Sequence, residues 1–408
     1  MTDQYATRPA RPTAGPDVPN DLVGRVRRRL TQRTGAATPV AVLDAVRAEP
    51  AQAPLGGTTL LRLSDRLYDE LAGAGPLGSL LVDPTVTDIV VNGPAEVWVD
   101  RGAGMVRAPI TFPDADSLRR LAQRLAASCE RRLDDASPYV DAHLPDGTRL
   151  HAVLPPVAVR GPYLCLRTFR HRAFTIADLK AAGTLTPDAA ELVSAIVAAR
   201  LAYLVSGGTG TGKTTMLATL LGLVPAHERI VIVEDATELR PAHPHVVPLQ
   251  SRPSNVEGSG TVTLRDLVRQ ALRMRPDRLV VGECRGAEVV DLLGALNTGH
   301  DGGCGTIHAN AATDVPARLE ALGLHGGLSR EALHAQLAAG LQVVLQVART
   351  ATGRVLDEVC VLLAAESRLV EAIPAWRRDT GPGAAAAQLA RLIESRGTAA
   401  PRILVGRS

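Results

Sequence analysis

Aromatic side chains are nearly missing from this chain of 408 residues: Phe, Trp and Tyr together make up 2% of it. Hydrophobic residues still reach 46%, so the cores must be filled by Leu, Val and Ala, which suits a helix-rich α/β protein. Cysteines are few. Cys129, Cys165, Cys284, Cys304 and Cys360 are odd in number, scattered, and form no Cys-x-x-Cys pair. That argues against a disulfide scaffold or a zinc ribbon and fits a reducing cytoplasm. No apolar run approaches the ~20 residues that span a bilayer, and Met1 to Val18 is polar and Pro-rich without a signal-peptide core. The expectation is a cytoplasmic protein with no transmembrane segment. A net charge of +3 is too small to argue for direct nucleic-acid binding.

The length exceeds what one core usually serves, which predicts two domains and a tail. Residues 1–17 read as a disordered leader, and 18–75 as a helical region with helices at 20–30, 40–47 and 64–71. Residues 76–172 read as a small mixed α/β domain. Two strands, 86–92 and 95–100, flank a turn at Asn92-Gly93-Pro94; a helix follows at 117–129, and 148–154 and 163–169 alternate like strands. A linker at 173–185 leads into 186–380, where helices alternate with apolar strands at 202–205, 230–233 and 279–281, the pattern of a parallel sheet. Residues 381–408, rich in Ala and Gly, read as a loosely packed tail.

Between the first of those strands and a helix stands Gly207-Gly208-Thr209-Gly210-Thr211-Gly212-Lys213-Thr214-Thr215, the Walker A spacing. Its glycines let the backbone curl so that N–H groups point at phosphate oxygens. Lys213 then reaches the β- and γ-phosphates, and the Thr214 hydroxyl holds Mg²⁺. A strand before it and an apolar helix after it set this apart from a chance glycine-rich turn. The acidic run Glu234-Asp235-Ala236-Thr237-Glu238 sits at a strand's C-terminal end, the end that faces ligand in open α/β sheets. A carboxylate there activates water; a solvated acidic turn reads the same way. Val280-Val281-Gly282-Glu283 is a strand ending in a carboxylate, as Mg²⁺ binding requires, although no Asp stands beside it. Thr298-Gly299-His300 and Thr306-Ile307-His308-Ala309-Asn310 carry histidines among glycines. His300, Cys304 and His308 supply only three zinc ligands where a structural site is closed by four, so contact with nucleotide or a neighbouring subunit is the better reading. Arg265, Arg269 and Arg273 recur every fourth residue, either as a solvated face or as a subunit contact.

The order Walker A, acidic box, Gly-Glu-x-Arg-Gly and Thr-Gly-His…His-Ala-Asn resembles the secretion ATPases of type II and type IV systems. Within them it resembles most the Tad/Cpa branch that powers Flp/Tad pilus assembly. Upstream, Gly75-Pro76-Leu77, Asp83-Pro84-Thr85-Val86-Thr87-Asp88-Ile89, Val91-Asn92-Gly93-Pro94, Ser137-Pro138 and Leu144-Pro145-Asp146-Gly147-Thr148-Arg149 extend it. Downstream, Arg273-Met274-Arg275-Pro276-Asp277-Arg278 does the same. The tetracysteine insertion of many type II members is missing, which favours the Tad/Cpa branch. The resemblance implies a RecA-like P-loop domain preceded by the smaller α/β domain, ATP and Mg²⁺ as ligands, and a homo-hexamer. It also implies inner-membrane platform proteins as partners and a peripheral location at the inner face of the cell membrane. It makes Glu234 the catalytic glutamate, Glu283 the Walker B residue, and His300 and His308 the histidine box. It makes Arg132, Arg149, Arg167 and Arg172 the arginines that approach the phosphates. Gly303-Cys304-Gly305, Cys284 and His151 depart from the family pattern, and the extra glycines are expected to loosen the histidine loop and slow turnover. A conjugative DNA-export ATPase and a nucleotide-binding regulator with little hydrolysis stand as alternatives.

Overall fold

A computed structural model describes residues 25, 26, 29, 39–48, 73–102, 104–168, 173–252, 260–351 and 353–405. The expected leader at 1–17, the helix at 64–71 and Arg172 lie outside these. The chain divides into two units, residues 1–169 and 170–408. Of the expected N-terminal helices, Pro39–Arg47 is present, and residues 25, 26 and 29 of the basic one are helical.

In the first unit, alternation builds a six-stranded antiparallel sheet of order β3-β2-β1-β6-β5-β4. Its strands are β1 (Asp88–Val91), β2 (Val97–Asp100), β3 (Met105–Arg107), β4 (Tyr139–His143), β5 (Arg149–Val153) and β6 (Tyr163–Arg167). Ile89, Val91, Leu150, Leu164 and Leu166 point to one face and meet Leu118, Leu121, Ala122 and Leu125 of the helix Ala115–Ser128. Asp114 caps that helix by accepting the Ser117 N–H at 2.6 Å, an N-cap that moves its start two residues ahead of the expected one. Because the side-chain period of a strand is two, the other face receives Asp88, Arg167, Arg149 and His143 in a row across neighbouring strands, with Asp141 two residues from His143 on the same face.

The second unit is a nine-stranded sheet of order β15-β14-β13-β12-β7-β11-β10-β8-β9. Six strands are parallel: β7 (Tyr203–Ser206), β8 (Ile230–Glu234), β9 (Val246–Gln250), β10 (Arg278–Cys284), β11 (Cys304–Ile307) and β12 (Val343–Thr350). The run then turns antiparallel through β13 (Gly353–Ala364), β14 (Val370–Arg377) and β15 (Gly381–Pro382). Residues of alternate strand faces enter two separate cores, one under the helices Pro187–Ala198 and Lys213–Leu221, the other under Leu264–Ala271, Glu288–Leu296, Val315–His325 and Arg330–Gly340. Two expectations fail here. The stretch 173–185 is not a bare linker: it contains the helix Ile176–Ala181, closed by a Thr175–Asp178 capping box, with Leu179 and Leu185 in the first core. The tail is not loose: in the helix Ala386–Ser395 the apolar stripe Ala386, Leu389, Ala390, Ile393 is buried against the same core.

Candidate active site

Strand β7 ends at Ser206 and the chain curls through Gly207–Gly212 into the helix that starts at Lys213. Gly207 has φ +154 and its missing Cβ makes room for the Val347 carbonyl of β12. Gly212, at φ +96, is the left-handed cap of the helix, a conformation glycine adopts without strain. Thr214 and Thr215 lie half-buried in the first helical turn, and the Thr211 hydroxyl donates to Gly208 O at 2.9 Å.

Lys213 is only 7% exposed. Its Nζ donates to Gly207 O at 3.0 Å and Gly208 O at 2.9 Å, and lies 3.3 Å from His308 Nδ1. Three donors thus meet three acceptors. Burial pulls the Lys213 pKa down, the nearby Glu283 carboxylate pulls it up, and Arg285 adds to the lowering. Since an ammonium only donates, His308 Nδ1 accepts, and its Nε2–H is left to face Glu283 Oε1 at 2.9 Å. Burial and then Lys213 hold His308 below its ordinary pKa, consistent with the neutral ring. Glu283 completes the chain by accepting from Arg285 Nη2 at 2.6 Å.

Glu234 closes β8 beside β10 and is 5% exposed. Its Oε1 accepts the backbone N–H groups of Glu238 at 3.1 Å and Leu239 at 2.9 Å. Burial nevertheless pushes its pKa up to about 7. A Cβ on Gly282 would fall 2.5 Å from Glu234 Cγ, so the glycine before Glu283 exists to make room for the other carboxylate. The two acidic motifs are therefore one structural unit.

Lys213, Glu234, Glu283 and His308 all sit at or just beyond the C-terminal ends of β7, β8, β10 and β11. His300 does not join them. It lies before β11, with its Nδ1 3.3 Å from Ala295 O at the end of the helix Glu288–Leu296. Strand β11 separates the two histidines by on the order of 13 Å at ~3.3 Å per residue. Spacing suggested a pair; the strand between them puts the members at opposite sheet ends, and Cys304, buried in the strand, converges with neither. The glycines nearby do not loosen the segment either. Gly302 lies against the Arg278 guanidinium, Gly303 against Leu296 and Gly305 against the Val281 carbonyl, each with no space for a Cβ.

In the first unit, Arg149 grips Asp141 through Nε at 3.0 Å and Nη2 at 2.6 Å, Arg167 Nε donates to Asp88 at 2.9 Å, and Arg132 pairs with Asp134. Arg265 and Arg269 both hold Asp291, at 2.6 and 2.8 Å, so that face ties two helices of one chain together. Three site residues escaped the sequence reading. Gln346 binds the Ser206 hydroxyl through Oε1 and Asn310 O through Nε2 at 3.0 Å, linking β7 to the histidine segment. Arg354 donates to Gly210 O at 2.9 Å. Arg285 was visible only as a motif letter, without a role.

A glycine loop between a parallel strand and a helix, with its lysine turned inward and carboxylates at the neighbouring strand ends, defines a P-loop nucleotide-binding protein of RecA-like fold. The family described as Type II/IV secretion system protein matches residues 70–378, and the chain belongs to this family of secretion ATPases. A Mycobacterium tuberculosis (strain H37Rv) protein named "Putative conjugal transfer protein" is 57% identical over 352 residues, 85% of this chain and 100% of its own. Conjugal transfer protein TrbB of Rhizobium radiobacter is 32% identical over 304 residues, 73% of this chain and 88% of its own. The structure of the pilus retraction motor PilT with bound ADP shares the fold, with a TM-score of 0.51 at 21% identity over 71% of this chain and 83% of that one. Among the described residues no helix is long and apolar enough to cross a membrane.

Proposed function

We propose that the chain is an ATP-hydrolysing motor of a type II/IV secretion-class machine, acting as a homo-hexamer on inner-membrane platform proteins, and that the machine is a Tad/Flp-type pilus. The observation that carries the ATPase reading is the linked set Lys213–His308–Glu283–Arg285 beside a buried Glu234 whose pKa of about 7 suits a general base at neutral pH. When nucleotide binds, Lys213 exchanges the loop carbonyls for β/γ-phosphate oxygens and gains stronger, charge-assisted bonds. The N–H groups of Gly208 to Thr215 bind the remaining oxygens. Glu234 takes the proton of the attacking water. The Thr214 hydroxyl and the Glu283 carboxylate are oxygen donors of the kind Mg²⁺ takes; bound there, it would neutralise phosphate charge. His308, joined to both Lys213 and Glu283, is the group that senses which of them the phosphate has drawn away. First-unit arginines Arg132, Arg149, Arg167 and Arg172 are proposed to add charge to the transition state; the three described ones must first leave their aspartates.

Conjugative DNA export is the second reading, favoured by the conjugal-transfer names of the relatives at 57% and 32% identity. Deleting the gene in its host separates the two. Loss of surface pili with intact plasmid transfer supports the first; the reverse supports the second. Phosphate release measured against protein concentration, with light scattering in a non-hydrolysable ATP analogue, tests the motor itself. A fully active monomer would rule out the ring.

A further inference from the structure

Strand β12 is apolar from Val343 to Val347 except at Gln346, which is only 5% exposed. A buried amide is unfavourable unless its polar atoms are bonded, and here both ends are. Asn310 offers a carbonyl, which only accepts, so Gln346 Nε2 faces it, at 3.0 Å. That orientation turns Oε1 toward the fully buried Ser206 hydroxyl, which donates to it. Gln346 is also the register partner of Ser206 on the neighbouring strand. Its side chain therefore crosses the end of β7 to reach the segment that follows β11.

The backbone ladder between β7 and β11 ends at Ser206 and Ile307. Past that rung the two stretches part. One becomes the phosphate loop. The other, residues 308–310, lines an open space of about 550 Å³ beside Gly208 and Thr209. Side chains carry the connection from there. At the tip of the loop, Lys213 Nζ meets His308 Nδ1 at 3.3 Å. At its base, Gln346 joins Asn310 to Ser206, and the adjoining Val347 carbonyl packs against Gly207 with no space for a Cβ between them. The two contacts differ in one respect. All three lysine donors are engaged, so a phosphate on Lys213 competes with His308. The amide contact has no such competitor.

We infer that Gln346 is a positioning residue for hydrolysis: it holds segment 308–310 to the base of the phosphate loop after nucleotide has drawn Lys213 away from His308. This rests on the nucleotide reading above. Binding uses the loop N–H groups and Lys213, which the amide does not touch. The amide acts afterwards, by keeping His308 and its partner Glu283 aligned with the bound phosphates.

The test is phosphate release and equilibrium binding of a non-hydrolysable fluorescent ATP analogue by the full chain. The variants are Gln346→Leu, Ser206→Ala, His308→Ala, Lys213→Ala and the double variant of Gln346→Leu with His308→Ala. Gln346→Leu strands two buried groups and is expected to lower kcat about tenfold, with analogue affinity within about twofold of wild type. Ser206→Ala, which leaves the Asn310 bond in place, should lower kcat about threefold. Because the amide acts through the histidine segment, the double variant should fall within about twofold of His308→Ala alone. Wild-type kcat in Gln346→Leu overturns the assignment, as does an equal loss of kcat and affinity, or single losses that multiply in the double variant. If Gln346→Leu does not fold, Ser206→Ala combined with His308→Ala completes the same cycle, and wild-type kcat in Ser206→Ala overturns the assignment. If the wild type releases no phosphate, or Lys213→Ala releases it at the wild-type rate, the nucleotide reading itself fails, and the role of Gln346 with it.

Discussion

The two ends of the nine-stranded sheet both bury charge, and they handle it in opposite ways. At the N-terminal end, Arg278 is 2% exposed and bonded to Glu228 at 2.6 Å and Val197 O at 3.1 Å. Glu228 also takes Arg200 at 2.7 Å. That network closes on itself, and Gly302 packs over it. At the C-terminal end, Lys213 leans on two carbonyls and a neutral histidine, and Glu234 sits buried with only backbone donors. Among the described residues, neither has an opposite charge as its hydrogen-bond partner. A buried ammonium without a bonded counter-charge favours an anionic ligand, and a buried carboxylate without one holds a proton up to about 7, so one end of the sheet is closed structure and the other is the candidate site.

Four substitutions or conditions test how far this contrast holds. Lys213→Ala removes the main charge on the β/γ-phosphates; phosphate release should fall more than about a hundredfold, and retention of more than about a tenth of the rate would show that the site lies elsewhere. At the other end, Glu228→Gln strands Arg278 without its partner. Chemical denaturation should show a loss of about 3–5 kcal/mol, while the nucleotide affinity of the folded protein stays unchanged. A change in affinity with little change in stability would erase the distinction between the ends. The pH dependence comes next. Burial raises Glu234 to about 7, and only its ionised form accepts a proton, so turnover should climb as pH rises through about 7 and fall below it. Folding follows the opposite sign: between the ordinary carboxylate range and about 7 the folded chain holds a proton that the unfolded chain has released, so this group's contribution to stability declines as pH rises. A flat rate profile across that range would remove Glu234 from the chemistry. The smallest effect belongs to His300→Ala, which should leave phosphate release within about twofold. A loss approaching that of Lys213→Ala would restore His300 to the site.

Local pattern carried the phosphate loop, the three core strands β7, β8 and β10, and the hairpin of β1 and β2. Each is announced by residues that act locally: glycines, a Pro turn, or an uninterrupted apolar run. The antiparallel extension β12 to β14 went unread because a single glycine, Gly353, is a weak turn signal between Val343–Val347 and Val355–Leu362, and their pairing to a sheet whose other strands are parallel is decided by tertiary contact. The helix at 386–395 was hidden by its Ala content, although the spacing of Leu389 and Ile393 carries the period. In the site, the glutamates were legible from their strand ends. His300 was misplaced because spacing along the chain says nothing about which end of a strand a residue occupies. Gln346 and Arg354 were invisible for the same reason: they come to the site from segments more than a hundred residues downstream of the loop.

The central claim is that the C-terminal end of this sheet hydrolyses ATP with Glu234 as the base. The most direct measurement is phosphate release by Glu234→Gln alongside its affinity for a non-hydrolysable ATP analogue. The substitution keeps the side chain's shape and removes the proton acceptor. The expected result is analogue binding within about twofold of wild type with turnover lost. Turnover at the wild-type rate, or loss of binding together with turnover, would contradict it.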